Sequence, residues 1–387
     1  MSKPLKIAIL GTRGIPACYG GFETFAERLS QILVERGHAL TVFGRRKFFR
    51  PDPACRSHNG VTLRYAPTIM HKYLETPVAA LTSFLELVRY RFDVVLLCNA
   101  ANSPFAWIVK ALGIPLVINV DGIERHRAKW NQLGRLWYKL GEYCSVKFAD
   151  TVVADAQVIA DYYRATHASD TTVIAYGASA TVRAPGAALQ RFKLEPSQYL
   201  LYVSRLEPEN NALGVIEAYR SSGVALPLVI VGDAPYADSY KEKLRQCADE
   251  KVIFTGFQFG EVYQELQSNC LAYIQATEVG GTHPALIEAM AYGNCVIANG
   301  TPENREVLSG TGLTYSKNDF AELATLMKFV QDNPTKRSEY GNLAKARAES
   351  VYNWEKIANQ YEECFGRLVR AGGREAIPDG SSQTDSF

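Results

Sequence analysis

Three glycine-bearing loops hold the residues of this 387-residue chain whose types and spacing could do chemistry. In the first, Leu10-Gly11-Thr12-Arg13-Gly14-Ile15-Pro16 is followed by Tyr19-Gly20-Gly21-Phe22-Glu23-Thr24. A strand ends there, and a helix opens near Gly21. The N–H groups of a helix start favour anions. Gly20 and Gly21 lack side chains and would let a diphosphate or sugar approach. The same two glycines could simply permit a turn. The spacing is not the GxGxxG dinucleotide fingerprint.

The second loop follows Leu200-Leu201-Tyr202-Val203 and runs Ser204-Arg205-Leu206-Glu207-Pro208-Glu209-Asn210-Asn211. Arg205 at a strand end can offer a planar fork to phosphate oxygens, or pair with Glu207 or Glu209 at the surface. Two further strand-to-glycine turns, at Gly232 and at Gly256-Phe257, belong to the same edge. The third loop is Glu278-Val279-Gly280-Gly281-Thr282-His283, and Pro284 then opens a helix that exits at Gly293. Gly281, Thr282 and His283 are therefore expected to present free N–H groups to a phosphate. Glu288 lies one turn inside that helix in an apolar run. A buried carboxylate there needs hydrogen bonds, which two ribose hydroxyls or an internal ion pair would supply. Asp121, just past the strand Leu116–Asn119, could face a sugar or acceptor hydroxyl, or form a turn with Gly122.

The elements that must position these loops alternate. Strands are expected at Lys6–Leu10, Ala39–Phe43, Asp93–Cys98, Leu116–Asn119, Thr151–Ala154 and Thr172–Ala175. A second series runs Leu200–Ser204, Leu226–Val231, Val252–Thr255, Leu271–Ile274 and Cys295–Ala298. Continuous Val/Ile/Leu runs imply strands buried on both faces, as in a parallel sheet covered by helices. Two such series make an α/β protein of two doubly wound, Rossmann-like domains. The aperiodic stretch Tyr176–Gln198 is the expected join. We place the first domain at 1–185, the second at 186–353, and a helix at 354–370 that returns to the first. Residues 371–387, rich in Gly, Ser and Asp, are expected to be a disordered tail.

Composition narrows the function. No apolar run reaches the ~18–20 residues of a membrane-spanning helix, and no secretory leader is expected. Eight scattered cysteines with no CxxC pair suit free thiols in a reducing cytosol. DxD, HxxxH and Cys-cluster patterns are absent, so neither a metal nor another cofactor is expected. Residues 1–190 carry 23 Lys+Arg against 14 Asp+Glu, and the remainder carries 19 against 26. A basic first half suggests an anionic partner on that side. The segments Arg45–Arg50 and Arg125–Lys139 mix cations with aromatics, as solvated faces or as contacts with phosphates or anionic lipid headgroups. No nucleic-acid-binding motif accompanies the charge.

The second half resembles the retaining glycosyltransferases of family 4, of GT-B fold. The matching pieces are Arg205, Gly232, Phe254-Thr255-Gly256 and Leu286-Ile287-Glu288-Ala289-Met290-Ala291-Tyr292-Gly293. The first half resembles a bacterial subgroup that includes rhamnosyltransferases of capsule and O-antigen synthesis. It does so at Gly11–Pro16, at Tyr19–Thr24 and at Asn119-Val120-Asp121-Gly122-Ile123-Glu124-Arg125-His126-Arg127-Ala128-Lys129-Trp130. The resemblance covers roughly residues 5–370. It implies two domains facing across a cleft, a nucleotide-diphosphate sugar as donor (dTDP-rhamnose first), and a lipid-linked glycan as acceptor. It also implies transfer with retention, in the cytoplasm or peripherally at the inner membrane face. Two positions depart from the family pattern: Gly280 where a glutamate is usual, and Asn211 where a lysine is frequent.

Glycosyl transfer builds positive charge at the anomeric carbon and negative charge on the leaving diphosphate. Arg205, helped by Asn211, would serve the leaving group, and Gly20, Gly21, Gly281 and Thr282 would add N–H donors. Glu288 would hold the ribose. Two rival readings stand beside this one. A GT-B-type nucleotide-sugar epimerase would turn over with no acceptor, and an NAD oxidoreductase would need the missing GxGxxG. A nucleotide-sugar-binding subunit without activity would bind and not turn over.

Overall fold

The computed structural model describes residues 3–17, 20–48, 56–71, 73–127, 130–234 and 237–372. The chain first lays down β1 (Lys6–Leu10), α1 (Gly21–Glu35), β2 (Ala39–Arg45), β3 (Ser57–His58), β4 (Val61–Ala66), α2 (Glu75–Leu87) and β5 (Val94–Cys98). It continues with α3 (Trp107–Ala111), β6 (Leu116–Val120), α4 (Gln132–Phe148), β7 (Thr151–Ala154), α5 (Gln157–His167) and β8 (Thr172–Val173). These strands form one sheet in the order β3-β4-β2-β1-β5-β6-β7-β8, parallel except for the β3–β4 pair.

The second half comprises α6 (Ala187–Phe192), β9 (Leu200–Val203), α7 (Ala212–Ser221), β10 (Leu228–Val231), α8 (Asp238–Cys247), β11 (Val252–Gly256) and α9 (Gly260–Asn269). Then come β12 (Ala272–Gln275), α10 (Pro284–Ala291), β13 (Val296–Asn299), α11 (Pro302–Leu308), β14 (Leu313–Tyr315), α12 (Phe320–Asp332), α13 (Pro334–Val351) and α14 (Trp354–Gly372). Its parallel sheet has the order β11-β10-β9-β12-β13-β14.

The apolar runs explain the layering. β5, β6, β10, β12 and β13 are buried at every position, so helices must cover both faces. Strand order reverses beside β1 in one sheet and beside β9 in the other. Loops at the carboxyl ends of such strands are where this architecture leaves a crevice. The loops after β1, β9 and β12 are the three glycine loops of the sequence.

Three strands escaped the sequence reading, among them the two-residue edge strand β3. β4 alternates apolar and polar residues near the sheet edge, and β14 is three residues at the other sheet's edge. None has the continuous apolar run used to find the rest.

The chain crosses between the sheets twice, at 176–178 and 352–354, and the two passes touch. Ala178 N–H donates to the Tyr352 carbonyl at 2.6 Å. A Cβ on Gly177 would lie 2.3 Å from the Trp354 ring. One apolar core runs through this double crossing and includes Tyr176, Trp354 and Tyr361. Helix α14 then packs on α1, where Tyr361 meets Phe25 and accepts a hydrogen bond from Asn119 Nδ2 at 2.6 Å. Of the expected tail, residues from 373 onward lie outside the described residues, and Ala371 and Gly372 end α14.

Candidate active site

The first glycine loop is pinned from below. Asn102 Nδ2 donates to the Gly11 and Cys98 carbonyls at 3.2 and 2.8 Å, tying β1 to β5. Arg13 N–H donates to Glu23 at 2.8 Å, which anchors the loop on the first turn of α1. Gly20 is the N-cap residue of that helix. A Cβ on Gly21 would come within 2.7 Å of Pro284 Cγ, the first residue of α10. The amino ends of α1 and α10, one from each sheet, therefore meet at the cleft.

The loops after β6 and β12 also meet, backbone against backbone. A Cβ on Gly122 would sit 2.8 Å from Gly280 Cα. Gly280 itself lies under the His283 ring, 2.5 Å from where a Cβ would be. No larger residue fits there with His283 in place, which accounts physically for the missing glutamate. Burial pushes the His283 imidazole down to about 3, and the Arg127 and Arg205 cations push the same way. It is neutral, and hydrogen-bonded to Thr277 Oγ1 at 2.9 Å.

Around this contact lies a cluster of charges from both domains. Burial raises the Asp121 carboxyl to about 6, and Glu124 adds to the rise while Arg127 and Arg205 oppose it. Arg127 Nε donates to Glu124 at 2.7 Å, and its Nη1 lies 3.6 Å from Glu209 Oε1 across the cleft. Burial works against the Arg127 cation, but Glu124, Glu207 and Glu209 outweigh it and raise its pKa. Arg205 keeps 29% of its side chain exposed and stands 3.9 Å from Glu207. Its cation acts on the cleft groups, opposing the rise at Asp121 and helping to keep His283 neutral.

Two domain models match the chain in order: a glycosyl transferase 4-like domain over residues 20–177, and glycosyl transferases group 1 over residues 189–347. The chain belongs to the glycosyltransferases. Curated relatives include the O-antigen chain mannosyltransferase B of Escherichia coli, 23% identical over 180 residues. That match takes in 44% of this chain and 46% of the relative, so it spans about half the relative's length. Among solved structures, HepE of Anabaena in complex with UDP superposes with a TM-score of 0.75 at 17% identity, covering 94% of this chain and all of that one. Sucrose-phosphate synthase from Thermosynechococcus elongatus gives 0.79 at 19% identity, with 95% and 99% covered. At these identities the likeness shows the GT-B fold: two Rossmann-like domains facing across a cleft.

The site of this glycosyltransferase departs from the expectation at three residues. Thr282 does not present a free N–H: it donates to Asp155 Oδ2 at 2.6 Å, and its hydroxyl donates to the Asp155 carbonyl at 2.7 Å. The Asp155 carboxylate also covers Gly281, where a Cβ would lie 2.1 Å from Oδ1. An acidic group of the first domain thus stands where the reading placed a phosphate. Asn211 does not face the cleft as a donor either. Its Nδ2 is engaged by the Ala276 carbonyl, Glu278 and Asn318 at 3.0, 2.9 and 3.1 Å. It ties the β12 loop to the body of the second domain.

The remaining positions divide in two. Gly232 is architectural: a Cβ there would fall 1.9 Å from the Ser204 carbonyl, and its N–H donates to Gly256 at 2.9 Å. Gly256 has open space beside it, and Phe257, 37% exposed, stacks on Phe259 at 6.0 Å. Glu288 accepts from Tyr263 Oη at 2.6 Å, and burial pushes its carboxyl up to about 7.

Sequence reasoning missed Glu124, Arg127, Asp155 and Glu209. Glu209 is the least expected: its side chain is 4% exposed, and among the described residues neither oxygen has a hydrogen-bond partner. The available signal was the charge density of Asp121–Arg127 directly after a wholly apolar strand. Among the described residues, no group of three or more His, Cys, Asp or Glu is placed to hold a metal ion.

Proposed function

We propose that the protein moves a sugar from a nucleotide-diphosphate donor to a lipid-linked glycan in bacterial surface polysaccharide synthesis, with dTDP-rhamnose the leading donor. The meeting of two helix amino ends, at Gly21 and Pro284, with the Arg205 cation close enough to act on His283 at the start of α10, carries this reading. Fixed donors of this kind stabilise charge that develops on a leaving group, and in a closed cleft they do so without reorganisation. The relatives agree in kind: HepE was crystallised with UDP and with UDP-glucose, and a curated relative is an O-antigen mannosyltransferase. Rhamnose rests on the subgroup resemblance of the first half.

In this reading Arg205 takes the charge of the departing diphosphate, with no metal required, and the amides at the start of α1 and of α10 beyond Thr282, whose own N–H is held by Asp155, support it. Glu288, fixed by Tyr263, accepts the ribose hydroxyls. Gly256 and Phe257 border the nucleoside. Asp121 faces the sugar or the acceptor hydroxyl. The configuration is retained, as the resemblance implies, and the protein works from the cytoplasmic side. Domain closure about the double crossing at 176–178 and 352–354 keeps water from competing with the acceptor.

Thermal-shift screening against a panel of nucleotide sugars tests the donor, because a bound ligand raises apparent stability by mass action. The expected result is a shift with dTDP-rhamnose larger than with dTDP, followed by sugar transfer to a lipid-linked acceptor. No shift with any nucleotide sugar would defeat the reading. Turnover without an acceptor would make the protein an epimerase.

A further inference from the structure

The basic segments noted in the sequence do not reach solvent as a block. Arg45 is buried and shares Glu75 with Arg13, and Arg127 is buried in the cleft cluster. Arg125 pairs with Glu142 at 3.1 Å. Arg46 and Lys47 stay exposed beyond β2, and among the described residues the other exposed cations of the two segments are on α4, where they lie beside something else.

Helix α4 turns an apolar stripe outward. Leu133, Leu136, Leu140 and Tyr143 recur at three- and four-residue intervals, and all are exposed, Leu133 and Leu136 by more than 65%. That spacing keeps them on one face over about 15 Å. Arg135, Lys139 and Lys147 are exposed on the same helix. Its single acid, Glu142, is buried. The opposite face is fully committed: Trp137 Nε1 donates to the Ala101 carbonyl at 3.0 Å, and Gly141 lies against Ala100.

The apolar exposure is not spread evenly over the protein. Of the 18 large hydrophobic residues exposed among the described residues, 13 fall between Ile69 and Tyr143. Those outside α4 lie mainly on the loop before α2, on the outer side of α2, and at Trp107. The loop is joined to the start of α4 by Tyr73 against Trp130 at 6.2 Å, and Trp107 follows Phe105, which packs on Trp137 at 6.1 Å. A continuous apolar band larger than single scattered residues marks an interaction surface.

We propose that this face, centred on α4, docks the protein on an anionic lipid surface, with the leucine stripe in the acyl–headgroup boundary and Arg135, Lys139 and Lys147 among the headgroups. Leucines on one side of a helix with cations beside them are the pattern of an interfacial helix. No helix among the described residues is long and apolar enough to cross a membrane, so the contact is lateral. A second copy of the chain is a poorer occupant, because a twofold contact through α4 would set its exposed cations, with no exposed acid on that helix, against one another. The inference rests on the proposed lipid-linked acceptor, to which such docking would bring the cleft.

Flotation with phosphatidylcholine vesicles, with and without phosphatidylglycerol, tests the surface separately from the chemistry. The full chain is expected to float with the phosphatidylglycerol vesicles and to be released as salt rises. Leu136→Asp with Leu140→Asp should cut that binding at least roughly tenfold, the scale of one apolar side chain left in water. Arg135→Ala with Lys139→Ala should remove the preference for the anionic lipid. Both variants should keep the wild-type melting temperature and nucleotide-sugar shift, since these side chains are exposed and away from the cleft. Equal flotation of wild type and variants overturns the inference. So does a wild type that ignores vesicles, whether monomeric or sedimenting as a dimer that the leucine variant splits. Either failure leaves nucleotide-sugar binding intact, whereas absence of that binding defeats the functional reading and not the surface.

Discussion

Across the cleft, Thr282 N–H donates to Asp155 Oδ2 at 2.6 Å, although the two residues lie 127 positions apart in the chain. Glu306 makes a second contact of the same kind, accepting from Gln157 and Val158 N–H at 2.6 and 2.9 Å at the start of α5. Each domain therefore places a carboxylate on the amino end of a helix of the other. Burial and then the nearby Asp121 raise the Asp155 carboxyl well above the usual carboxylate range, so its bond is closer to a neutral one, about 0.5–1.5 kcal/mol.

Removing the first clamp should open the molecule. Asp155→Ala is expected to raise the radius of gyration in small-angle scattering without nucleotide, and to lower turnover roughly 2- to 10-fold, the range that energy spans. A scattering curve identical to the wild type's would mean that the contact does not hold the domains closed.

The leaving group should depend on Arg205 and the ribose on Glu288. Arg205→Ala and Glu288→Ala are each expected to lower turnover at least ~100-fold, the scale of one lost transition-state contact. Steady-state rates on the cognate nucleotide sugar check this. Near-normal rates for both variants would remove these two residues from the chemistry.

Glu288 should also leave a signature in stability against pH. Its folded carboxyl is raised from 4.5 to about 7 by burial. A raised carboxyl binds its proton more tightly in the folded state. Its stabilising contribution is thus present below the unfolded value and is lost as pH rises through about 7. Asp121, raised to about 6, acts in the same direction over a lower window. Melting temperatures of Glu288→Gln, which still can hydrogen-bond to Tyr263, should fall less than wild type's between roughly pH 5 and pH 8. Parallel curves would contradict the shift.

Two glycines should respond differently to the same added methyl group. Gly232→Ala puts a Cβ 1.9 Å from a carbonyl oxygen inside the second domain, at φ +136°. It should destabilise that domain by about 1–3 kcal/mol, read as a lower melting temperature. Gly122→Ala, also strained at φ +57°, puts its Cβ 2.8 Å from Gly280 Cα of the other domain. Its expected effect is a turnover loss exceeding its effect on melting temperature. The reverse order would place the β6 loop outside the closing contact.

Most of the architecture was legible in the amino-acid order because burial on both faces forces continuous apolar strands, and this signal is local. Gly20–Gly21, Arg205, Gly256 and Gly281–Pro284 could be located at strand ends for the same reason. β4 and the edge strands β3 and β14 were not legible, since β4 is half-buried and the other two are too short to show a period.

What the order of residues determined by itself was the alternation of elements and the side of each sheet on which the loops emerge. Only the tertiary structure decided which groups meet there. Asp155 takes the Thr282 N–H, Asn211 turns back on Glu278, and Arg127 reaches Glu209, each through a pairing whose partners are at least 65 residues apart. Helical and strand periodicity arise from neighbours within a few residues. A hydrogen bond between two domains depends on how whole sheets come together, which no local pattern records.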